Sequence, residues 1–395
     1  GVALRPDDAF LRPPPPAPAP QFSCGRDRYG EVTPDDFFDP RWVPGDECPG
    51  SGVHALAELA DVAMVAAPDL YSPFPLVAPQ AVHDAPTFAG ATFQTCVEAE
   101  IPPAAPPAVG TCPDGLPADA PGSQELDGLR LDPTLPDERE RIVGYQQRLV
   151  ALADLLERWQ VLLSVPPGLN HRQVLDWRTR FGSAYAAAYH PWLVVSRGKA
   201  TGEVPVRIPP CGVAAGIVAR QELAFGIPHG PANVLAAGAL AVADAVSPAR
   251  HDELHPQGIN VFLRERDGIR LSAARTLSRD PAWRQMSVRR LVTMLRRVLE
   301  RQMQWAVFEP NNTSLREEVK RVLDVYLRQL YRANAFKGKT EREAFFVRCD
   351  EALNPPQVVD AGALIAHVGV APAEPLEFIL VRIARGGDGT LRLEG

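Results

Sequence analysis

The side chains able to do chemistry are few and far apart. Asp61 and Asp69 bracket the apolar run Val62–Ala67, His190 and His229 each sit beside a proline in a turn, and Ser183 lies seven residues before His190. On paper Ser183, His190 and Asp61 supply a nucleophile, a base and an orienting carboxylate. Any chain with eight histidines offers such combinations. The spaced signatures are missing: no G-x-S-x-G, no H-E-x-x-H, no G-x-G-x-x-G, and no G-x-x-x-x-G-K-[ST]. Residues 25–32, GRDRYGEV, have the glycine spacing of the last but lack its lysine and follow no strand. The expectation is therefore no enzyme, no catalytic residues and no cofactor, with a hydrolase on an α/β scaffold as the alternative.

Six cysteines at 24, 48, 96, 112, 211 and 349 include no C-x-x-C pair. Zinc ligands normally come in pairs two to four residues apart, so no metal site is assigned. Reduced thiols are expected, although four of the six fall in the first third, where a disulfide stays open. Arginine carries the strongest pattern: Arg289, Arg290, Arg296, Arg297 and Arg301 stand against Glu300 alone, with Arg284 upstream. Such a ridge can attract nucleic acid or acidic protein, or face only water. With no interleaved aromatics, no DNA-reading motif and a pI near 5.7, an acidic protein is preferred to nucleic acid.

These residues need elements to hold them. Residues 1–50 hold a polyproline run and polar turns, and are expected to be extended and peripheral. GVHALAELADVAMVAAPD at 52–69 reads as a helical turn and a strand covered on both faces. Residues 70–138 read as a Pro-rich surface insertion. From 138 the pattern sharpens. The spacing predicts a helix over Glu138–Trp159, a strand in QVLLSVPPG, a helix over about 173–188, a strand at 191–195 and a small-residue helix in CGVAAGIVARQELAFG. Strands at Gly258–Leu263 and Gly268–Ala273 come next. A helix over 288–303 is expected to be capped by Ser287, with its basic face outward, and Trp305–Phe308 to be a strand. Ser314 and Glu317 have capping-box spacing before another helix, and strands are expected at 344–347, 364–370 and 376–383. GGDG at 386–389 then reads as a hinge and TLRLE at 390–394 as a lone strand, either disordered or added to another chain's sheet.

Alternating helices and buried strands place the chain in the α/β class, and 395 residues favour more than one domain. No segment reaches the ~18 uninterrupted apolar residues of a membrane span. A start on Gly1, with neither Met nor a signal region, is read as a trimmed N-terminus rather than a secreted precursor. Charge divides the chain: residues 1–140 carry seven Arg and no Lys against 23 Asp and Glu, a balance of -16, whereas the remainder carries 34 basic against 25 acidic residues, a balance of +9. The two parts are expected to face different surroundings.

The blocks GINVFLRERDGIRLSAARTLSRDPAWRQMSVRRL, QWAVFEPNN, EAFFVRCD and VGVAPAEPLEFILVRI, with YHPWLVV and GVAAGIVAR upstream, occur in order. Together they resemble the sheath proteins of contractile phage tails and of phage-tail-like extracellular contractile injection systems, over about residues 138–385. The resemblance implies a subtilisin-like α/β core without protease activity over 51–250, interrupted at 70–138, a sheath C-terminal domain over 251–385, and a donor-strand arm over 386–395. It implies helical rings of like subunits around an inner tube, contraction that drives the tube forward, baseplate and terminator proteins as further partners, and cytoplasmic assembly into a particle that can be released. No nucleic acid partner and no membrane span are implied. Arg289, Arg290, Arg296 and Arg297 become tube-facing candidates, with Arg316 and Lys320 as the alternative. Gly386, Gly387, Thr390, Leu391, Arg392 and Leu393 become the inter-subunit arm. The PGVYVEE-type opening usual in the family has no counterpart here, which leaves open a missing N-terminal arm or a non-contracting adaptor-ring paralogue.

Overall fold

Runs of apolar residues with no polar alternation, such as QVLLS at 160–164 and AAAYH at 186–190, can be strands only where both faces are covered. The computed structural model covers them. It describes residues 31–45, 50–73, 127–197, 204–303, 305–306, 309–360, 363–373, 382–385 and 391–394. The chain divides into a unit of residues 1–33 and 74–130 and a larger unit of residues 34–73 and 131–395. The first holds a short 3-10 turn at Asp127–Leu129.

The principal elements of the larger unit, in order, are β1 (Met64–Val65), α1 (Pro136–Leu156), β2 (Gln160–Ser164), α2 (His171–Thr179), β3 (Ala186–His190), β4 (Leu193–Arg197), β5 (Val204–Ile208), α3 (Pro210–Phe225), β6 (Val234–Leu235), β7 (Ala239–Val242), α4 (Pro248–Leu254), β8 (Ile259–Glu265) and β9 (Gly268–Leu271). After these come α5 (Met286–Gln302), α6 (Thr313–Arg332), α7 (Glu341–Ala344), β10 (Phe345–Arg348), α8 (Pro356–Asp360), β11 (His367–Val370), β12 (Arg382–Arg385) and β13 (Leu391–Glu394). The large sheet runs β1-β2-β3-β8-β9-β6, and a small antiparallel sheet runs β5-β4-β7. The first four strands of the large sheet are parallel, and β8 turns back through a hairpin into antiparallel β9.

Side chains alternate between the two covered faces. Val161, Leu163, Ala186, Ala188, Ile259 and Val261 point to a core completed by α1 and α2, with Ile142, Leu149, Val174 and Trp177. Leu162, Ala187, Tyr189 and Phe262 point to the other, completed by Cys211, Ala214, Ile217 and Val218 of α3. Helices on both faces of a largely parallel sheet make the α/β class. A third core joins Leu291 and Leu295 of α5 to Leu315, Val319, Leu323 and Leu327 of α6 and to Phe345 and Val347 of β10.

Local expectations needed correcting at five places. The helix expected over 173–188 stops at Thr179, and its alanine run is the buried strand β3: pairing with β2 and β8 on both sides overrides alanine's helix preference. Ser287 does not cap α5, which starts one residue earlier behind Gln285, and the Ser287 hydroxyl is buried without a partner. Asn312 rather than Ser314 caps α6, accepting from the Leu315 amide at 2.9 Å. Trp305 and Ala306 form a short 3-10 turn, not a strand. The last segment is neither solitary nor disordered here: β13 pairs antiparallel with β12 of its own chain.

Candidate functional site

The candidate catalytic groups do not meet. Ser183 is bonded to Asp154 on the neighbouring helix, Asp61 to Arg301 at 2.9 Å, and buried His190 lies 3.9 Å from Asp244. Burial pushes the His190 imidazole down to about 4 against the opposing pull of Asp244, and its Nε2 has no hydrogen-bond partner. It is a neutral ring at the C-terminal end of β3. The Asp61 carboxyl is held below the usual range by hydrogen bonding to Arg301. His229 packs against Phe225, with ring centroids 5.8 Å apart and the planes tilted by 44°. Among the described residues no group of three or more His, Cys, Asp or Glu could hold a metal, and Cys211 and Cys349 are buried free thiols.

The arginines of α5 do converge, though not where they were expected. Leu291 and Leu295 of the helix face α6, and its basic face turns towards the sheet layer, covered at Arg289 and Arg290 while Arg296 and Arg301 stay more than half exposed. Arg289 and Arg290 are 8% and 9% exposed, which removes them as an outward ridge. The Arg289 guanidinium stacks on Trp283 at 4.2 Å and Tyr185 at 4.6 Å, and burial lowers its basicity. Arg290 pairs with Glu222 of α3, Arg296 with Glu157 beyond α1, and Arg297 with the Val62 carbonyl. Arg301 pairs with Asp61, next to β1. The row is a seam that docks α5 on the sheet.

The seam's partners were illegible in sequence. Glu157, Glu222 and Tyr185 lie between 68 and 139 positions from the arginines they meet, and no local spacing marks them. A second staple was also missed. Arg178, 6% exposed, donates to the carbonyls of Phe181 at 2.6 Å and Leu277 at 3.0 Å and to that of Gln257, and burial pushes it down to about 10. Gly258 makes room for this crossing: its φ is +82°, and a Cβ there would lie 2.6 Å from the Thr276 carbonyl oxygen.

Beyond the seam the surface is differently made. β10 alternates buried Phe345 and Val347 with exposed Phe346 and Arg348, and pairs with β11 alone among the described residues. Arg316 is half-buried and Lys320 exposed, along the edge of the apolar stripe of α6 and near Cys349. Of the arm residues, Leu391, Arg392 and Leu393 lie in β13, paired with Arg385, Ala384 and Ile383 respectively; Gly386, Gly387 and Thr390 fall outside the described residues.

Comparison with known proteins matches the phage tail sheath protein central domain over residues 149–277 and the phage tail sheath C-terminal domain over 278–384. A tail sheath protein of Vibrio phage KVP40 is 29% identical over 133 residues, a match covering 33% of this chain and 19% of that protein. Among solved structures, a chain of the anti-feeding prophage baseplate aligns at 29% identity and a TM-score of 0.54, covering 63% of this chain and 65% of that one. The contracted sheath of the extracellular contractile injection system PVC aligns at 27% and 0.55, covering 61% and 69%. The contracted helical sheath of the anti-feeding prophage aligns at 28% and 0.53, covering 64% and 68%. The chain thus spans about a fifth of the curated relative and just under two thirds of the baseplate chain it matches.

Proposed function

The chain belongs to the contractile phage tail sheath family, and from that premise we propose that it is a structural sheath subunit of a phage-tail-like contractile injection system. The observation that carries this reading is the order of two sheath domains across residues 149–384, joined to a likeness above 25% identity to two contracted sheaths. Subunits of this kind stack helically around an inner tube and shorten to drive it into a target. They meet other sheath subunits and, at the ends, baseplate and terminator proteins. Assembly takes place in the cytoplasm and the finished particle is released. Nothing in this reading needs catalysis, and the scatter of Ser183, His190 and Asp61 among separate partners accords with a subtilisin-like scaffold that carries no triad.

Two features are assigned within it. The tube-facing surface is placed on α6, with Arg316 and Lys320, because Arg289 and Arg290 are already committed to the seam. Arg296 and Arg297 are likewise engaged, by Glu157 and the Val62 carbonyl. The arm is 386–395, of which Leu391–Glu394 forms β13: its pairing with β12 in a single chain can be exchanged for the same pairing with a neighbour. The domain limits are then a peripheral 1–50, a core of 51–250 with an insertion at 70–138, a C-terminal domain of 251–385 and the arm.

Electron microscopy of the full chain mixed with its tube protein tests the reading. Hollow ringed filaments are expected, and particles that stay monomeric and never bind tube would overturn it. Deletion of residues 386–395 is expected to abolish filaments while leaving the circular dichroism spectrum unchanged.

A further inference from the structure

A cleft between α5 and the β1 edge of the large sheet opens along the docking seam and is lined in part by its ion pairs. It measures about 280 Å3, just short of the ~300–1,000 Å3 of small-molecule pockets, and is the size to take one or two side chains. Arg158, Arg290, Arg297 and Arg301 line it against two carboxylates, Asp61 and Glu222, a formal surplus of two positive charges. Trp159 lines it too. That side chain is 1% exposed, and its indole N–H is buried without an acceptor. A buried donor left unpaired is costly, and an incoming oxygen would relieve it. Ile227, Met294 and Val298 add apolar wall.

We propose that this cleft receives an acidic side chain from a partner polypeptide, its carboxylate accepting from Trp159 Nε1 while the arginines supply the surplus charge. The apolar wall suits the methylenes of such a side chain. A free inorganic anion, which seeks donors on all sides, is suited less well. The proposal does not rest on the sheath reading, since a chain that forms no filament would still bind.

Calorimetric titration of the full chain tests it with three probes: a blocked peptide carrying Glu between apolar residues, the same peptide with Gln for Glu, and inorganic phosphate. Saturable binding of the Glu peptide is expected, with about tenfold weaker binding of the Gln peptide and about tenfold weaker binding of the Glu peptide to Trp159→Phe, the scale of one lost charge-assisted hydrogen bond. Melting temperature shows whether Trp159→Phe is folded. If it is not, Arg301→Gln carries the test, because that side chain is 60% exposed and its loss spares the core; a loss of about threefold or more is expected. Four results would each overturn the proposal: no binding, equal binding of the Gln peptide, phosphate binding as tightly as the Glu peptide, or full affinity in the folded variant.

Discussion

The large sheet and the C-terminal module are built from strands of opposite kinds. Every residue of β2 and β3 is buried, and each strand has a partner on both sides. In β10 every second residue is exposed, and its sheet has two strands among those described. A two-stranded sheet is marginal in water by itself and depends on what covers it. Here α6 covers one face and leaves Phe346, 54% exposed, on the other. The contrast teaches that stability is concentrated in the first region and that capacity for association is left in the second. The arginine seam of α5 is where one is fastened to the other.

The comparison can be broken most forcefully in the sheet layer. Trp177 is 2% exposed and donates to Gln146 Oε1 at 2.8 Å; Trp177→Ala is expected to cost about 3–5 kcal/mol in urea unfolding. A loss below ~1 kcal/mol would mean that stability does not reside there.

Next comes pH. The His190 ring titrates near 4 when folded and near 6.5 when unfolded. Between those values the unfolded chain binds the extra proton, so stability is full above about 6.5 and falls as the pH drops towards 4. The loss approaches roughly 3 kcal/mol, at 1.36 kcal/mol per pH unit. Denaturation curves at stepped pH should show this slope, and His190→Asn should flatten it.

At the seam the effect is smaller and local. Arg289→Leu removes the cation from between Trp283 and Tyr185, which is expected to cost about 1–2 kcal/mol. Hydrogen exchange should quicken in α5 while β2 and β3 stay protected. Uniform quickening would show that the two regions open together and are not distinct units. Last, Arg321→Ala breaks the exposed Glu318 pair on α6 and is expected to leave the denaturation midpoint unchanged. A measurable shift would show that the outer face of α6 contributes to the fold rather than standing free.

Legibility in the sequence divided along the same line. Helix α1 was readable because Ile142, Tyr145, Leu149 and Leu152 repeat at helical spacing, and all are buried. The β8–β9 hairpin was readable from its charged turn. Ala186–Ala188 was misread because alanine carries no strand signal, and only strands on either side make it one. The candidate site was legible in composition and not in direction. Five arginines on one helix were evident, yet their destinations, Glu222, Glu157, Asp61, Val62 and the rings of Trp283 and Tyr185, are mostly distant in sequence.

By itself the sequence determined the α/β class, the order of the principal elements, and the blocks that carry the family, since periodicity and local spacing are properties of a chain before it folds. Tertiary structure alone decided which way the basic face of α5 turns. A helix wheel separates polar from apolar but does not say what stands opposite the polar side. That depended on the sheet layer presenting Glu222, Glu157 and two aromatic rings at the right places, which turned a ridge expected to meet another protein into the joint that holds this one together.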